Sequence, residues 1–207
     1  PIVAQNFVGL GSWFVFFAII EDMGERALAI SNLVRIVYLI LSIPTWGFSS
    51  ATNTIVGNLM GQANYSSILP SMRKTAVTCF VMTMSVALPI ILWPETFLYP
   101  LLGSSDMTLI TDSKSTLYVL LIIVAFSSVI SIYVNGIAGV GATLTGLLIQ
   151  TLSAISYLIA IYIVVDVWQS TLNYAWSTEI IYWIAQLVGV LWFFHKISFA
   201  KMRYADG

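Results

Sequence analysis

The sequence carries very little charge for its length. Only 8% of its 207 residues are Asp, Glu, Lys or Arg, whereas soluble domains contain about 25%. Eight basic residues against nine acidic ones give a net charge of −1, so the chain has no excess of positive charge with which to bind a nucleic acid. Because 59% of the residues are hydrophobic, this composition excludes a soluble globular protein and a disordered chain, and it indicates an integral membrane protein.

Histidine and cysteine are almost absent as well. His195 and Cys79 are the only residues of their kinds, so no intramolecular disulfide can form. A zinc site needs several His, Cys or acidic ligands, and a serine nucleophile needs a base within reach. We therefore predict that the chain is not an enzyme and that it has no catalytic residues, no metal site and no organic cofactor.

Long stretches without charge predict six membrane-spanning helices, since one crossing needs about 20 mainly apolar residues. The longest stretch, 115–165, exceeds one crossing and is interrupted by four glycines within 135–146, so we divide it there. The runs do not alternate apolar and polar residues as the strands of a membrane barrel do. The predicted fold is an all-α integral membrane bundle that forms a single lobe over 1–207. Its predicted spans lie at about 3–20, 26–60, 75–93, 116–136, 143–165 and 178–196, with the longest loop at 94–115.

The basic residues predict that both termini lie in the cytoplasm. Cytoplasmic loops are enriched in Lys and Arg, and six spans put both termini on one side of the membrane. The opposite side holds only two basic residues, Arg26 and Lys114, and it also receives eight of the nine acidic residues, Glu179 included. The side of the termini holds five basic residues, namely Arg73, Lys74, Lys196, Lys201 and Arg203.

Polar residues recur at helical spacing inside the second span. Asn32, Arg35, Tyr38, Ser42, Trp46, Ser49 and Asn53 follow one another at intervals of three or four, which is typical of one helix face. Arg35 lies about 13 Å deeper than Arg26 at 1.5 Å per residue. A charge at that depth costs several kcal/mol unless it faces water, a partner or a cavity. The readings left open are a water-filled cavity, a partner outside this chain, and snorkelling to the outer surface.

Similar polar faces occur on other spans and favour a transporter. Hydrogen bonding between helices explains any single face, but faces on four of the six spans indicate a bundle around a wet cavity. A non-transporting membrane scaffold, in which these residues only join helices, remains the alternative. Pro44, followed by several small residues, predicts a bend in the second span. The candidate cavity residues are Gln5, Asn32, Arg35, Tyr38, Asn53, Ser127, Asn135 and Gln150.

Four segments, taken in order, resemble the multidrug and toxic compound extrusion (MATE) family. Pro1 opens the first span, as a proline does in the family's seventh helix. Segment 24–62 is similar to the eighth helix, with an apolar run, a proline, small residues and a VG-x-x-x-G end. WPETFLYPLLGSSDMTLITDSKSTLYVLL at 93–121 resembles the loop before the tenth helix, and NGIAGVGAT at 135–143 resembles the glycine-rich turn after it.

The resemblance implies a fold of twelve helices in two six-helix lobes, with this chain as the carboxy-terminal half. It implies export of small amphiphilic or cationic substrates, by alternating access, in exchange for Na⁺ or H⁺ across the bacterial inner membrane. Because the chain begins with Pro1 rather than Met, we expect an amino-terminal half as its partner. A lipid-linked saccharide flippase of related architecture is the other function that this fold would suit.

The resemblance also bears on the coupling ion. Some branches of the family place acids in the seventh and tenth helices, and the matching positions here are Gly9 and Ser127. The resemblance therefore implies that this half has no carboxylate for the coupling ion. We expect the Na⁺ or H⁺ site to lie in the missing half.

Overall fold

Seven α-helices make up most of the computed structural model, which describes residues 1–102 and 107–196. All but the fourth are long and apolar enough to cross a membrane, and these residues contain no strand. The predicted all-α membrane fold with six spans is confirmed. Lys201 and Arg203, which enter the predicted orientation, lie outside the described residues. The helices are α1 (Ile2–Asp22), α2 (Glu25–Gly61), α3 (Ile68–Leu92), α4 (Pro94–Leu102), α5 (Met107–Gly139), α6 (Thr143–Tyr162) and α7 (Leu172–Lys196).

Several helices begin earlier than the sequence predicts. α3 starts at Ile68 rather than at 75, and α7 starts at Leu172 rather than at 178. The segment 94–115, predicted as a loop, contains α4 and the first turns of α5. The predicted boundaries are drawn around stretches without charged residues. The ends of real helices are set by caps and turn residues instead. Pro94 suits the first position of α4 because a proline there gives up no helical hydrogen bond.

Two ion pairs join the helices at one end of the bundle. Arg26 Nη2 lies 2.7 Å from Asp112 Oδ2, which links the start of α2 to α5, and Lys114 pairs with Glu95 of α4. The hydrogen bond from Lys114 lowers the pKa of Glu95 below its usual value. Because these side chains are partly exposed to water, the pairs fix positions more than they stabilise the fold. We call this end, which also carries Glu21, Asp22 and Glu25, the acidic end, and we call the opposite end, with Arg73, Lys74 and Lys196, the basic end.

Two glycines make the tight turns between long helices. Gly24 has φ +105° between α1 and α2, and Gly141 has φ +86° between α5 and α6. Residues with a side chain rarely adopt positive φ, so each helix pair can reverse direction within a few residues. The division that the sequence predicts within 135–146 falls at this second turn.

Helix α5 is the centre of the bundle and packs against α2, α3 and α7. Its buried residues Leu117, Leu120 and Ile123 belong to the main hydrophobic core. α6 packs against α1 and α7 on one side of the bundle, whereas α3 packs against α2 and α5 on the other. This arrangement leaves two separate regions between helices, one among α1, α2, α6 and α7 and one between α3 and α5.

Where α5 approaches α2, the space beside two glycines differs, and this predicts different effects of an alanine at each. A Cβ at Gly139 would lie 2.8 Å from the backbone oxygen of Asn53 and 2.8 Å from Cβ of Val56, whereas a Cβ at Gly57 would meet nothing nearer than 3.7 Å. We expect Gly139→Ala to destabilise the protein by about 1–3 kcal/mol, as overpacking usually does. Gly57→Ala should be close to neutral. Thermal unfolding of the two variants in detergent checks this, and equal melting temperatures would contradict the packing.

Candidate functional site

A cavity of about 530 Å³ opens among α1, α2, α6 and α7. Apolar and aromatic side chains form most of its wall, and no Lys or Arg of the described residues lines it. We call it the Glu179 cavity, because Glu179 is the one acidic residue among the described residues that line it. Its polar and aromatic lining includes Trp13, Tyr38, Gln150, Tyr157, Glu179 and Tyr182.

Glu179 is a buried carboxylate inside a membrane span. It lies seven residues from the start of α7, which is about 10 Å along the helix, and its exposed fraction is 6%. Trp13 Nε1 donates a hydrogen bond to Glu179 Oε1 at 3.2 Å. No basic side chain of the described residues forms a salt bridge with Glu179. An uncompensated charge is costly in such surroundings, so the carboxylate needs a proton, a cation or a basic group from outside the described residues.

Aromatic rings surround this carboxylate on several sides. The Trp13 and Tyr38 rings stack with centroids 5.3 Å apart, and the Tyr182 and Trp183 rings meet edge to face at 5.2 Å. The face of an aromatic ring attracts cations. A carboxylate within an aromatic wall therefore suits a positively charged ligand with apolar parts.

Trp183 adds a hydrogen-bond donor without a well-formed partner. Its Nε1 is buried and forms no hydrogen bond of good geometry within the part of the chain that the structure describes, and its side chain lines the Glu179 cavity. Buried donors nearly always have a partner. The Tyr38 hydroxyl is the acceptor beside it, in imperfect geometry, so Trp183 joins α7 to α2 in the wall of the cavity.

Two of the eight predicted cavity residues, Tyr38 and Gln150, line the Glu179 cavity, and a third, Gln5, lies beside it. Gln150 Nε2 donates to the backbone oxygen of Gln5 at 2.9 Å, and Gln5 Nε2 donates to the backbone oxygen of Thr143 at 3.4 Å. Gly146 makes room for the Gln5 side chain, since a Cβ there would lie 2.7 Å from Gln5 Nε2. The two glutamines thus join α1 to α6 at the border of the cavity.

Arg35 lies one helical turn from the cavity, towards the acidic end. Leu39, four residues further along α2, lines the Glu179 cavity, but Arg35 and Asn32 do not. The Arg35 guanidinium lies over the Phe17 ring, with Cζ 4.7 Å from its centroid. No acidic side chain among the described residues forms a salt bridge with it. Arg35 is thus half-buried and stacked on an aromatic ring, beside the cavity rather than within it.

The remaining predicted residues lie away from the Glu179 cavity. Ser127 Oγ donates to the backbone oxygen of Val124 at 3.1 Å, and Asn135 Nδ2 donates to that of Ser131 at 2.9 Å, so both bond to their own helix. Asn53 lies where α2 approaches Gly139. Pro44 lies inside α2, which continues unbroken to Gly61, and the bend predicted there stays a prediction.

Sequence reasoning missed Glu179. We assigned it to the outer face because we expected residues 166–178 to be a loop, whereas α7 already begins at Leu172. Glu179 is thus a buried carboxylate within a span of this half, and the expectation that the coupling ion binds in the other half stays a prediction. A signal was present, because Trp176, Glu179, Trp183 and Gln186 follow at intervals of three or four, and all four are buried on one face of α7.

The fold matches solved membrane transporters over nearly its whole length. A MATE protein in the bent conformation has a TM-score of 0.84 at 19% identity, covering 98% of this chain and 45% of that one. An inward-facing multidrug resistance MATE family transporter of the MOP superfamily has a TM-score of 0.82 at 18% identity, and the match covers 99% of this chain and 47% of that one. A MOP superfamily transporter from Pyrococcus furiosus has a TM-score of 0.80 at 12% identity, and the match covers 94% of this chain and 43% of that one.

This chain thus spans less than half of each of these structures. At such identities the matches establish the fold, which agrees with the six-span bundle described above. No curated protein matches the chain. The family assignment comes from a model described as MatE, which matches residues 1–168 and therefore most of the sequence. With that match, as its sequence resemblance implied, the chain belongs to the MATE family of membrane transporters.

Proposed function

We propose that this chain is the carboxy-terminal half of a cation-coupled efflux antiporter of the bacterial inner membrane. Its partner is an amino-terminal half, both its termini face the cytoplasm, and the two halves work by alternating access. The observation that carries the proposal is Glu179, a buried carboxylate without a basic partner in the described chain, facing a cavity with aromatic walls. Family membership and the coverage of less than half of the matched transporters support it.

One carboxylate in an apolar site gives a simple basis for exchange. The charge has to be neutralised, so Glu179 holds either a proton or Na⁺, or the positive group of a substrate. Binding of one excludes the other, and their alternation on the two sides of the membrane yields antiport. Our expectation that the ion binds in the other half remains a prediction, and Glu179 is a candidate ion site in this half.

The charge of the cavity favours an amphiphilic cation over the saccharide lipid of the alternative function. A lipid-linked saccharide carries phosphate, which basic side chains recognise. The Glu179 cavity has an acidic side chain and, among the described residues, no basic one. We therefore propose organic cations with aromatic or aliphatic parts as substrates.

Glu179→Gln keeps the shape of the side chain and removes its charge. A hydrogen bond to a charged group contributes about 1.5–3 kcal/mol, so we expect ion-driven efflux of ethidium from proteoliposomes to fall roughly tenfold or more. Glu21→Gln, which changes an exposed acid at the acidic end, is the matched control and should leave efflux unchanged. Full ion-driven efflux by a folded Glu179→Gln protein would exclude the proposed role.

Access of water separates a transporter from a scaffold. Gln150 lines the cavity, whereas Ser153, three residues further along α6, is 1% exposed. With Cys79 replaced by Ala, we expect Gln150→Cys to react with a membrane-impermeant thiol reagent and Ser153→Cys to stay unreacted. If neither cysteine reacts under transport conditions, the scaffold becomes the better interpretation.

Arg35 should affect transport without being required for folding. Its guanidinium stacks on Phe17, and the Phe17 ring contacts Trp13 of the cavity wall with centroids 5.8 Å apart, so loss of Arg35 loosens that wall. We expect Arg35→Ala to reduce ethidium efflux several-fold at an unchanged amount of protein in the membrane, and Arg35→Lys, which keeps the charge, to retain more activity. Normal efflux by folded Arg35→Ala would show that the residue has no such role.

A further inference from the structure

A second and larger cavity lies on the other side of the bundle. It has a volume of about 890 Å³ and is formed by the first part of α3 together with Tyr133 of α5. α3 packs mainly against α2 and α5, so this cavity is distinct from the one that contains Glu179. We call it the Arg73 groove. Its lining includes Leu69, Arg73, Lys74, Val77, Thr78 and Tyr133.

Two adjacent basic side chains make the Arg73 groove positively charged. Arg73 and Lys74 are both exposed and both line it. Neither forms a salt bridge within the part of the chain that the structure describes. The acids in that part lie at the acidic end or, in the case of Glu179, in the other cavity. The groove thus offers two positive charges that no acidic side chain of the described residues balances.

An apolar surface continues from these cations along the helix. Leu69 and Val77 line the groove and are 41% and 56% exposed. Beyond them, Val81 and Leu88 of α3 are 59% and 42% exposed, and no charged residue occurs between Lys74 and Glu95. A ligand bound here meets two cations at its head and a bare hydrocarbon surface below, along the direction in which α3 enters the membrane.

We propose that the Arg73 groove binds an anionic phospholipid. Arg73 and Lys74 hold the phosphate of its headgroup, and its acyl chains lie on the exposed face of α3 below Val77. Basic pockets between membrane helices bind lipid headgroups in this way, and the long apolar face distinguishes a lipid from a soluble anion. The inference does not depend on the proposed transport function.

The test compares lipids on the full-length transporter in a neutral detergent. Native mass spectrometry measures how much phosphatidylglycerol or phosphatidylcholine stays bound, with inorganic phosphate as a competitor. We expect preferential retention of phosphatidylglycerol, not displaced by phosphate. In the double variant Arg73→Gln/Lys74→Gln, apparent affinity for phosphatidylglycerol should fall about fivefold for each cation lost.

Two further variants separate a built site from general surface attraction. Lys196→Gln removes a cation at the same end of the bundle but on α7, over the Trp192 ring, and should retain the lipid. Val77→Trp fills the groove and keeps both charges, and it should lose the lipid. The proposal fails if Lys196→Gln weakens binding as much as the double variant does. It also fails if Val77→Trp binds normally, if phosphate displaces the lipid, or if phosphatidylglycerol has no advantage over phosphatidylcholine.

Discussion

The interior of a bilayer supplies no hydrogen-bond partners, and the polar groups of this lobe are arranged accordingly. Several hydroxyl groups within the spans bond to the backbone of their own helix, as Ser42 does to the oxygen of Tyr38 at 2.7 Å and Ser153 to that of Ile149 at 2.8 Å. Such residues are satisfied without a neighbour and without water. Glu179 differs, because one hydrogen bond from Trp13 does not neutralise a carboxylate. Among the described residues that line the Glu179 cavity, Glu179 is the one whose charge has to be neutralised by a group from outside them.

The same constraint explains how much of the site was predictable. Spacing on α2, α5 and α6 places polar residues on shared helix faces, but spacing does not say what a face meets. Ser127 and Asn135 bond to their own helix, whereas Tyr38 and Gln150 reach the cavity. Only the packing of four helices together separates these outcomes.

The fold was more predictable than the site because partition into a bilayer depends on the composition of about 20 residues at a time. A single residue has little weight in that average. A charged residue near a helix end is therefore a poor guide to where the helix begins or ends. Asp112 and Lys114 lie within α5, where each forms an ion pair at the acidic end, although the sequence suggested that charge marks a loop. The same reasoning misplaced Glu179, whose charge was taken as evidence of the surface.

Helix α2 connects the two regions that the bundle separates. Ser42 and Trp46 face the Glu179 cavity, and Thr45, on the same turn, meets Cys79 of α3, with Oγ1 and Sγ 3.8 Å apart. Pro44 lies in this turn and removes one backbone hydrogen bond, which lowers the stiffness of the helix there. Movement of α2 at Pro44 would therefore change the shape of the cavity and its contact with α3 together, because one turn forms both surfaces.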